Sequence, residues 1–451
     1  MRTRRWLPAV VGVVMLAACA GEGSEDGGGQ FEDDDGTSQD DQADPGDAGE
    51  GGEPVRVGVL MPFSGPVAVS GELFVKGWEL YWETHGTSAG GRTVEWVTGD
   101  TQADPSVAVE EARRLVEQEN IDILVGPLLG SEGLAVGEYT ESIGLPQVYG
   151  IPASEEFLRD IPDTIFRYGI THGQVSMPFG EWAAEQGYER VSTICSDYVT
   201  GWEICGGFIN TFTDNGGEIV TQLWPPFGDT ADLGPFMAQL AEQDHDAVYL
   251  GMPVGDAVAF FRAWTDFGLL DTVPVLGHHV TSSPSILKAM GLEAEGMISA
   301  GVFTGTLDDP VVEDFATRFE EAYGEPSDPD PALAWHAGAL VRHGLEELDG
   351  DVSDADEFIA VLKQAEFPES VLGPLSVDEH GNVLYDVHIR EARDRGDGVM
   401  ENFVIDTYEQ SGPNFRYDYD MYVEQPAYNR DYQGFDWPEN CDAYISDCPL
   451  D

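Results

Sequence analysis

Ser131 is the side chain in this sequence that most resembles a catalytic nucleophile, because it lies in the run GSEG at residues 130–133. That run lacks the first glycine of the G-x-S-x-G pattern that exposes the serine of many hydrolases. No Walker loop is present, and metal chemistry has little support, because the sequence has no C-x-x-C pair and His278-His279 has no partner histidine at ligand spacing. We therefore expect no catalytic residue, no metal and no cofactor, and we keep a hydrolase that uses Ser131 as an alternative.

Cys19 is the residue with the clearest covalent chemistry. It ends the run LAAC, which follows three arginines and an apolar stretch of signal-peptide length. This arrangement looks like a bacterial lipobox, in which the cysteine becomes the lipidated first residue of the mature protein. We expect a signal peptide over residues 1–18 and a disordered acidic tether over 19–54, since residues 20–54 are almost only small and polar.

The other four cysteines are an even number, which suits disulfides in an exported protein. The pairings between cysteines close in sequence are Cys195 with Cys205 and Cys441 with Cys448. Three connectivities are possible from the sequence alone, and free buried thiols are a further alternative.

The net charge of −63, from 84 acidic and 21 basic residues, limits the partners of this chain. Such a surface repels nucleic-acid phosphates and anionic lipid headgroups, so we expect no nucleic-acid partner and no membrane contact other than through a lipid. The acidity itself has two interpretations, a solvated surface or a preference for cationic ligands.

Residues 55–81 predict the element that organises the fold. A short apolar strand runs into the turn Pro62–Pro66 and then into a helix with apolar residues at three- and four-residue spacing. A strand that is apolar on both faces belongs in a parallel sheet, and the loop at its carboxyl end lines the ligand crevice of such sheets. Ser64, in this turn, is therefore a candidate binding residue.

Strand and helix patterns then alternate along two sets of elements. The first set ends with a strand at 166–170, and the second begins with a helix at 174–186. Alternation of this kind predicts an α/β fold with parallel sheets. We expect one lobe from 55–170 and 281–373, a second from 171–280 and 374–410, a hairpin around 378–382, and an irregular tail from 411–451.

The order of the motifs resembles that of the type I periplasmic-binding proteins of the branched-chain amino acid (Leu/Ile/Val-binding) family, the solute receptors of ABC importers. The resemblance covers about residues 55–408. It is carried by VGVLMPFSG, DTQADPSVAVEEARRLV, ILVGP, IPAS, FRYG, RVSTICSDYVTG, DAVYLGMPVGDA, EGM and VLGPLSVDEHGN. The resemblance implies a two-lobed fold with three hinge crossovers and a ligand between the lobes.

The resemblance also implies which residues bind that ligand. Gly130 and Ser131 fall where the family binds a ligand carboxylate at a helix N-terminus. Ala153 and Ser154 fall where the family uses an alanine carbonyl and a threonine hydroxyl, and Asp256 aligns with an acid that holds the ligand ammonium. Ser131 and Asp256 are equally good helix caps, so a purely structural role stays open for both.

Two positions depart from the family pattern. Ser70 and Thr200 stand where aromatic residues are common in the family. Tyr149, Tyr198 or Trp202 could supply different aromatic walls, so the ligand could be larger than a branched-chain amino acid.

We expect a monomeric, lipid-anchored solute-binding protein outside the cytoplasm. It would capture an amino acid, amide or aromatic acid for an ABC permease and its ATPase. An extracellular sensor and a purely structural surface protein are the alternatives that remain beside the hydrolase.

Overall fold

The computed structural model describes residues 52–434, with gaps at 151–153, 160, 231, 271 and 368. Cys19, Ala153, Cys441 and Cys448 lie outside the described residues, as does nearly all of the predicted signal peptide and tether. The lipidation of Cys19 and the Cys441–Cys448 pairing therefore stay predictions.

The predicted opening strand is present and central. It is buried at every position except Arg56, as its apolar pattern on both faces requires. The six strands of its sheet are β1 (Val55–Met61), β2 (Ser88–Ala89), β3 (Arg92–Asp100), β4 (Ile123–Val125), β5 (Gln147–Tyr149) and β6 (Ile165–Arg167). Their order is β2-β3-β1-β4-β5-β6, and all neighbours are parallel except the β2–β3 pair.

Helices cover both faces of this first sheet. They are α1 (Ala68–His85), α2 (Pro105–Glu117), α3 (Gly130–Ile143), α10 (Pro329–Glu347) and α11 (Ala355–Lys363). One face packs against α2 and α3 through residues such as Leu60, Leu115 and Val136, and the other packs against α1 and α10. The α1–α10 crossing is close because Gly77 has no side chain, and a Cβ there would lie 2.1 Å from the carbonyl oxygen of Pro331.

The second sheet repeats the scheme. Its eight strands are β7 (Arg190–Cys195), β8 (Glu218–Leu223), β9 (Ala247–Gly251), β10 (Val275–His278), β11 (Ile298–Gly301), β12 (Ser376–Val377), β13 (Val383–Asp394) and β14 (Met400–Ser411). Strands β7 to β11 pair in parallel, and β12 to β14 join antiparallel at one edge. The turn between β12 and β13 is the predicted hairpin, in which Asp378 N–H donates to Asn382.

The helices of the second sheet also lie on both faces. They are α4 (His172–Glu185), α5 (Val199–Asp214), α6 (Gly234–Ala241), α7 (Val254–Asp266) and α8 (Pro284–Met290). Helices α4 and α5 pack together on one face, and α7 and α8 contact each other on the other face. Helix α9 (Pro310–Tyr323) follows β11 and leads to α10. The two-sheet α/β architecture predicted from the sequence is confirmed.

One predicted boundary is wrong. We expected residues 281–301 in the first lobe, but β11 pairs in parallel with β10, and Ile286 and Leu287 of α8 are buried against the second sheet. The unit β10–α8–β11 is an ordinary strand–helix–strand repeat, whose second strand lies beside the first. The chain therefore returns to the first sheet after β11.

The segment after β14 is packed rather than loosely irregular. Residues 412–434 contain the short helix α12 (Tyr419–Glu424), and four of their tyrosines are buried: Tyr417, Tyr422, Tyr428 and Tyr432. The buried tyrosine rings supply the apolar surface through which this segment packs on the rest of the fold.

Candidate functional site

A cavity of about 170 Å³ lies between elements of the two sheets. Its volume resembles that of a cavity of about 150 Å³ that holds one benzene molecule. On the first-sheet side it is lined by Val67, Ser70, Leu73, Leu129, Asp328 and Asp330. On the second-sheet side it is lined by His172, Tyr198, Thr200, Gly255, His279 and Ser283. Most of the exposed wall is apolar, with polar groups contributed by both sides.

Helix N-termini converge on this cavity. Helices α1, α3, α4, α5, α7 and α10 each contribute a lining residue from the N-cap or the first three positions. This convergence comes largely from the parallel sheets, since their helices begin at the carboxyl ends of the strands. A helix N-terminus offers N–H donors and a positive partial charge, so these helix ends favour negatively polarised groups on a ligand.

Tyr198 forms an aromatic wall of the cavity. It is the N-cap residue of α5, and its ring stacks on Phe227 with centroids 4.1 Å apart. Burial raises the pKa of its hydroxyl, so this group stays neutral and can donate or accept a hydrogen bond. The neighbouring Thr200 also lines the cavity, and its hydroxyl interacts with that of Tyr198.

A disulfide supports this wall. Cys195, the last residue of β7, is bonded to Cys205 in α5, which confirms the predicted pair. The bridge closes the loop that carries Tyr198 and Thr200. It therefore restricts the motion of the residues that face the cavity.

Two histidines line the cavity and are uncharged at neutral pH. Burial lowers the pKa of His172 to about 3. Burial, together with the neighbouring His172 and Arg390, lowers that of His279 well below its usual value. In the described part of the chain, Nδ1 of neither ring has a hydrogen-bond partner.

Asp328 and Asp330 are the acidic groups of the cavity. Asp328 is the N-cap of α10, and its side chain accepts a long hydrogen bond of 3.4 Å from the N–H of Asp330. Burial and the charge of Asp330 raise the pKa of Asp328 to about 8, and burial raises that of Asp330 to about 6, opposed by a hydrogen bond from Ser70. Both carboxyls therefore hold protons more tightly than exposed ones.

Three of the residues predicted from the sequence line the cavity: Ser70, Thr200 and Tyr198. Ser64, Gly130 and Ser131 are not among the lining residues, although Leu128 and Leu129 of the same loop are. The Ser64 hydroxyl donates a 2.8 Å hydrogen bond to Oδ2 of Asp100, the last residue of β3.

Ser154 lies at a junction rather than on the cavity wall. Its hydroxyl donates a 2.9 Å hydrogen bond to Oε1 of Glu203 in α5, and the N–H of Glu155 donates to the same atom at 2.9 Å. Gly130 lies against it, since a Cβ on Gly130 would be 2.9 Å from the Cβ of Ser154. Ser154 thus links the loop after β5 to a helix of the second sheet.

The Asp256 carboxyl accepts its hydrogen bonds from residues on the same side of the cavity, in the part of the chain that forms the second sheet. Its Oδ2 accepts from Ser196 Oγ at 3.0 Å and from the N–H of Gly228 at 3.1 Å. Burial raises its pKa, and these two hydrogen bonds oppose the shift. It does not line the cavity, although its neighbours Pro253 and Gly255 do.

The other two aromatic candidates, Tyr149 and Trp202, do not line the cavity and make hydrogen bonds to other parts of the protein. Tyr149 is fully buried and donates to the carbonyl oxygen of Leu129 at 3.0 Å, behind the cavity wall. Trp202 donates from Nε1 to Asp197 at 3.0 Å. Neither is a lining residue.

Sequence reasoning missed His172, His279, Asp328 and Asp330. Asp328-Pro329 carries a visible signal, because an aspartate before a proline is typical of a helix N-cap followed by the first helical residue. The histidines carry no such signal, since their place at the cavity depends on how the two sheets pack.

No group of three or more histidine, cysteine or acidic side chains in the described ranges is arranged to hold a metal ion. Likewise, none of the helices described here is long and apolar enough to cross a membrane.

Two sheets of this kind with a ligand-sized cavity between them define a solute-binding protein. The model of the periplasmic binding protein family matches residues 54–397. The chain therefore belongs to the type I periplasmic binding proteins, as the resemblance predicted, and this class is extracytoplasmic.

The relatives agree with that assignment. Leu/Ile/Val-binding protein homolog 6 of Brucella melitensis is 30% identical over 363 residues, which are 79% of this chain and 92% of the relative. An ABC transporter substrate-binding protein from Sphaerobacter thermophilus is 27% identical, with a TM-score of 0.73 over 79% of this chain and 98% of that one. A solute-binding protein of an ABC transporter from R. palustris in complex with benzoate is 26% identical, with a TM-score of 0.72 over 78% and 96%. These are solute-binding proteins, in agreement with the expectation that this chain is not an enzyme.

Proposed function

We propose that this chain is a lipid-anchored receptor that captures a small polar organic solute between its two sheets and delivers it to an ABC importer. The observation that carries the proposal is the composition of the cavity. It combines apolar walls with polar groups from both sides, and helix N-termini surround it. An apolar pocket with few convergent polar groups suits a small organic molecule better than an inorganic ion.

Ligand binding would favour the form in which the two sheets approach each other. Tyr198 and Ser70 lie on opposite sides of the cavity, so a ligand that touches both interacts fully only when the sides are close. A ligand shifts such an equilibrium by its difference in affinity for the two forms. A permease could then distinguish loaded from empty receptor by shape.

A thermal-shift screen over amino acids, amides and aromatic acids tests the proposal, with calorimetry on each compound that stabilises the protein. Tyr198→Ala should weaken binding of such a compound about tenfold or more, because it removes an aromatic wall of the site. Phe267→Ala is the control, since Phe267 is exposed at the far end of α7, about 20 Å along the helix from the cavity. Equal affinity in wild type and Tyr198→Ala, or no binding by any compound, would reject the proposal.

The lipid anchor needs its own experiment. Labelling of the producing cells with a fatty acid should mark the wild type and leave Cys19→Ala unlabelled. Release of unlabelled wild type into the medium would argue against both the anchor and the predicted tether over residues 19–54.

Transport is tested by uptake of the identified compound. Cells that lack the chain should lose high-affinity uptake, and the wild-type chain should restore it. Restoration by Tyr198→Ala to the wild-type rate at low solute concentration would contradict a receptor role for the cavity.

A further inference from the structure

The described side chains that line the cavity include acidic groups but no basic group that is charged at neutral pH. Of the described lining residues, Asp328 and Asp330 carry carboxyls, and none is a lysine or arginine. The two histidines are neutral because burial lowers their pKa values. The described wall of the cavity therefore presents two carboxyls to a ligand but no fixed positive side chain. With a pKa of about 8, Asp328 holds a proton at neutral pH and gives it up when a cation lies beside it.

The two carboxyls are held in place by the α1–α10 crossing. Pro331, one residue after Asp330, packs on Gly77 of α1. The loop before Asp328 is fixed as well, because Tyr323 donates to the carbonyl oxygen of Lys76 at 3.0 Å and Lys76 pairs with Glu325 at 2.5 Å. The rigid position of these carboxyls suits a specific contact with a ligand group.

Asp328 has no ion-pair partner in the described structure. Burial raises the pKa of Asp328 and the charge of the buried Arg390 lowers it, but the Arg390 guanidinium donates to the carbonyl oxygen of Phe303 at 2.6 Å and to Ser282 Oγ at 3.0 Å. Asp328 is only 5% exposed, and a buried carboxylate without a cation is costly. A cation that enters the cavity would lower this cost.

The neighbouring histidines point to a ligand independently. His172 and His279 are 4% and 7% exposed, both rings line the cavity, and Nδ1 of each lacks a partner within the described ranges. Buried polar groups are normally hydrogen-bonded. A polar ligand beside these rings would provide partners that the protein itself does not.

We propose that the ligand carries a protonated amine and that Asp328 and Asp330 bind it, while the apolar wall around Leu73 and Leu129 takes its hydrocarbon part. The inference rests on the proposed function, since it concerns the same cavity. The inference assigns binding of the ligand ammonium to the two carboxyls at the start of α10 rather than to Asp256. A ligand carboxylate, where present, would lie at the helix N-termini on the other side of the cavity.

An aromatic acid without an amine is the competing ligand. Its carboxylate would gain from the helix N-termini but would lie in a small cavity with two acidic groups. Asp328 already holds a proton at neutral pH when no cation is present, so the cost that remains is repulsion between the ligand carboxylate and the Asp330 carboxylate, or the protonation of one of them. The amine-bearing ligand accounts for both acidic groups without that cost.

Calorimetry with matched pairs of compounds tests the inference. Each pair is an amine and its analogue without the amine, such as leucine with 4-methylpentanoate, phenylalanine with 3-phenylpropanoate, and phenethylamine with ethylbenzene. Benzoate is included as an acid without an amine. We expect at least one amine to bind and its analogue to bind roughly a hundredfold more weakly.

Asp328→Asn should weaken amine binding roughly ten- to hundredfold, since it removes a charge-assisted contact while keeping the size of the side chain. Asp309→Asn is the matched control, because Asp309 caps α9 in the same Asp-Pro context and does not line the cavity. Benzoate binding that Tyr198→Ala weakens and Asp328→Asn leaves unchanged would overturn the inference and keep the proposed function. Failure of every amine to bind would also overturn the inference. Failure of every compound, benzoate included, would count against both.

Discussion

Tyr422 donates a 3.1 Å hydrogen bond from its hydroxyl to Oε2 of Glu155, which joins the C-terminal segment to the short 3-10 helix after β5. Arg159 adds a 2.9 Å bond from Nη2 to the carbonyl oxygen of Gln425. Further along the segment, Tyr432 donates to Asn210 of α5 at 3.0 Å. Residues 412–434 therefore connect elements of both sheets, and they lie beyond the stretch that the family model covers.

Tyr422→Phe should lower the free energy of unfolding by about 1–3 kcal/mol, because the buried Glu155 carboxyl loses a hydrogen-bond donor. Urea unfolding measures the change. Tyr408→Phe is the control, since the Tyr408 hydroxyl has no hydrogen-bond partner among the described residues. Equal losses of unfolding free energy in Tyr422→Phe and Tyr408→Phe would show that the hydrogen bond from Tyr422 to Glu155 does not stabilise the fold.

Asp328 also makes the stability depend on pH. Its folded-state pKa of about 8 exceeds its ordinary value of 3.8 because of burial and the charge of Asp330, with a smaller contribution from Glu325 and an opposing one from Arg390. The folded state thus holds a proton that the unfolded state has lost, and the contribution of Asp328 to stability falls as pH rises from about 4 to 8. Asp328→Asn should therefore raise the melting temperature at pH 8 by at least about 2 °C, and should have little effect at pH 4.5.

Thermal unfolding at both pH values measures this difference. Asp309→Asn again serves as the control, since the exchange alters an N-cap of the same type outside the cavity. An increase of equal size at pH 4.5 and pH 8 would contradict a buried, protonated Asp328. Higher stability together with weaker amine binding would indicate that this carboxyl is retained for ligand recognition.

The sheets could be predicted from the sequence because their signals are local. Strand β1 is apolar on both faces, and Asp104-Pro105 marks the start of α2. The place of β11 could not be predicted in this way, since the short apolar run at Ile298–Gly301 indicates a strand but not the sheet that the strand joins. Its assignment depends on pairing with β10, which is a tertiary contact.

The cavity was predictable only in part, for the same reason. Ser70 and Thr200 were named because the family resemblance places ligand-facing aromatic residues at these positions, and Tyr198 was named because it lies beside Thr200. Asp328 is distant in sequence from all of them and reaches the cavity only through the packing of α10 on α1. Its carboxyl could be predicted as a helix cap, but its burial could not.

The Cys195–Cys205 bridge should contribute roughly 2–3 kcal/mol to stability, since it closes a loop with a sequence separation of 10. Replacing both cysteines with alanine should lower the urea midpoint, and reduction of the wild type should have a similar effect. We also expect weaker ligand binding, because the loop between them carries Tyr198.

Thiol titration of a variant without Cys441 and Cys448, unfolded in the absence of reductant, should find no thiol from this pair. Two reactive thiols would contradict the bridge.

Asp256 separates two interpretations of the ligand site. Alignment with the family assigns it to a ligand ammonium, whereas its Oδ2 accepts hydrogen bonds from Ser196 and from the N–H of Gly228. Asp256→Ala removes both bonds and leaves two donors unpaired, so we expect a loss of about 1–3 kcal/mol in the free energy of unfolding. Amine affinity should change much less than in Asp328→Asn. Urea unfolding measures the stability of Asp256→Ala and Asp328→Asn, and calorimetry measures their affinity for the amine. A loss of amine binding in Asp256→Ala at unchanged stability would mean that Asp256 holds the ammonium itself, with Ser196 and Gly228 only orienting its carboxylate.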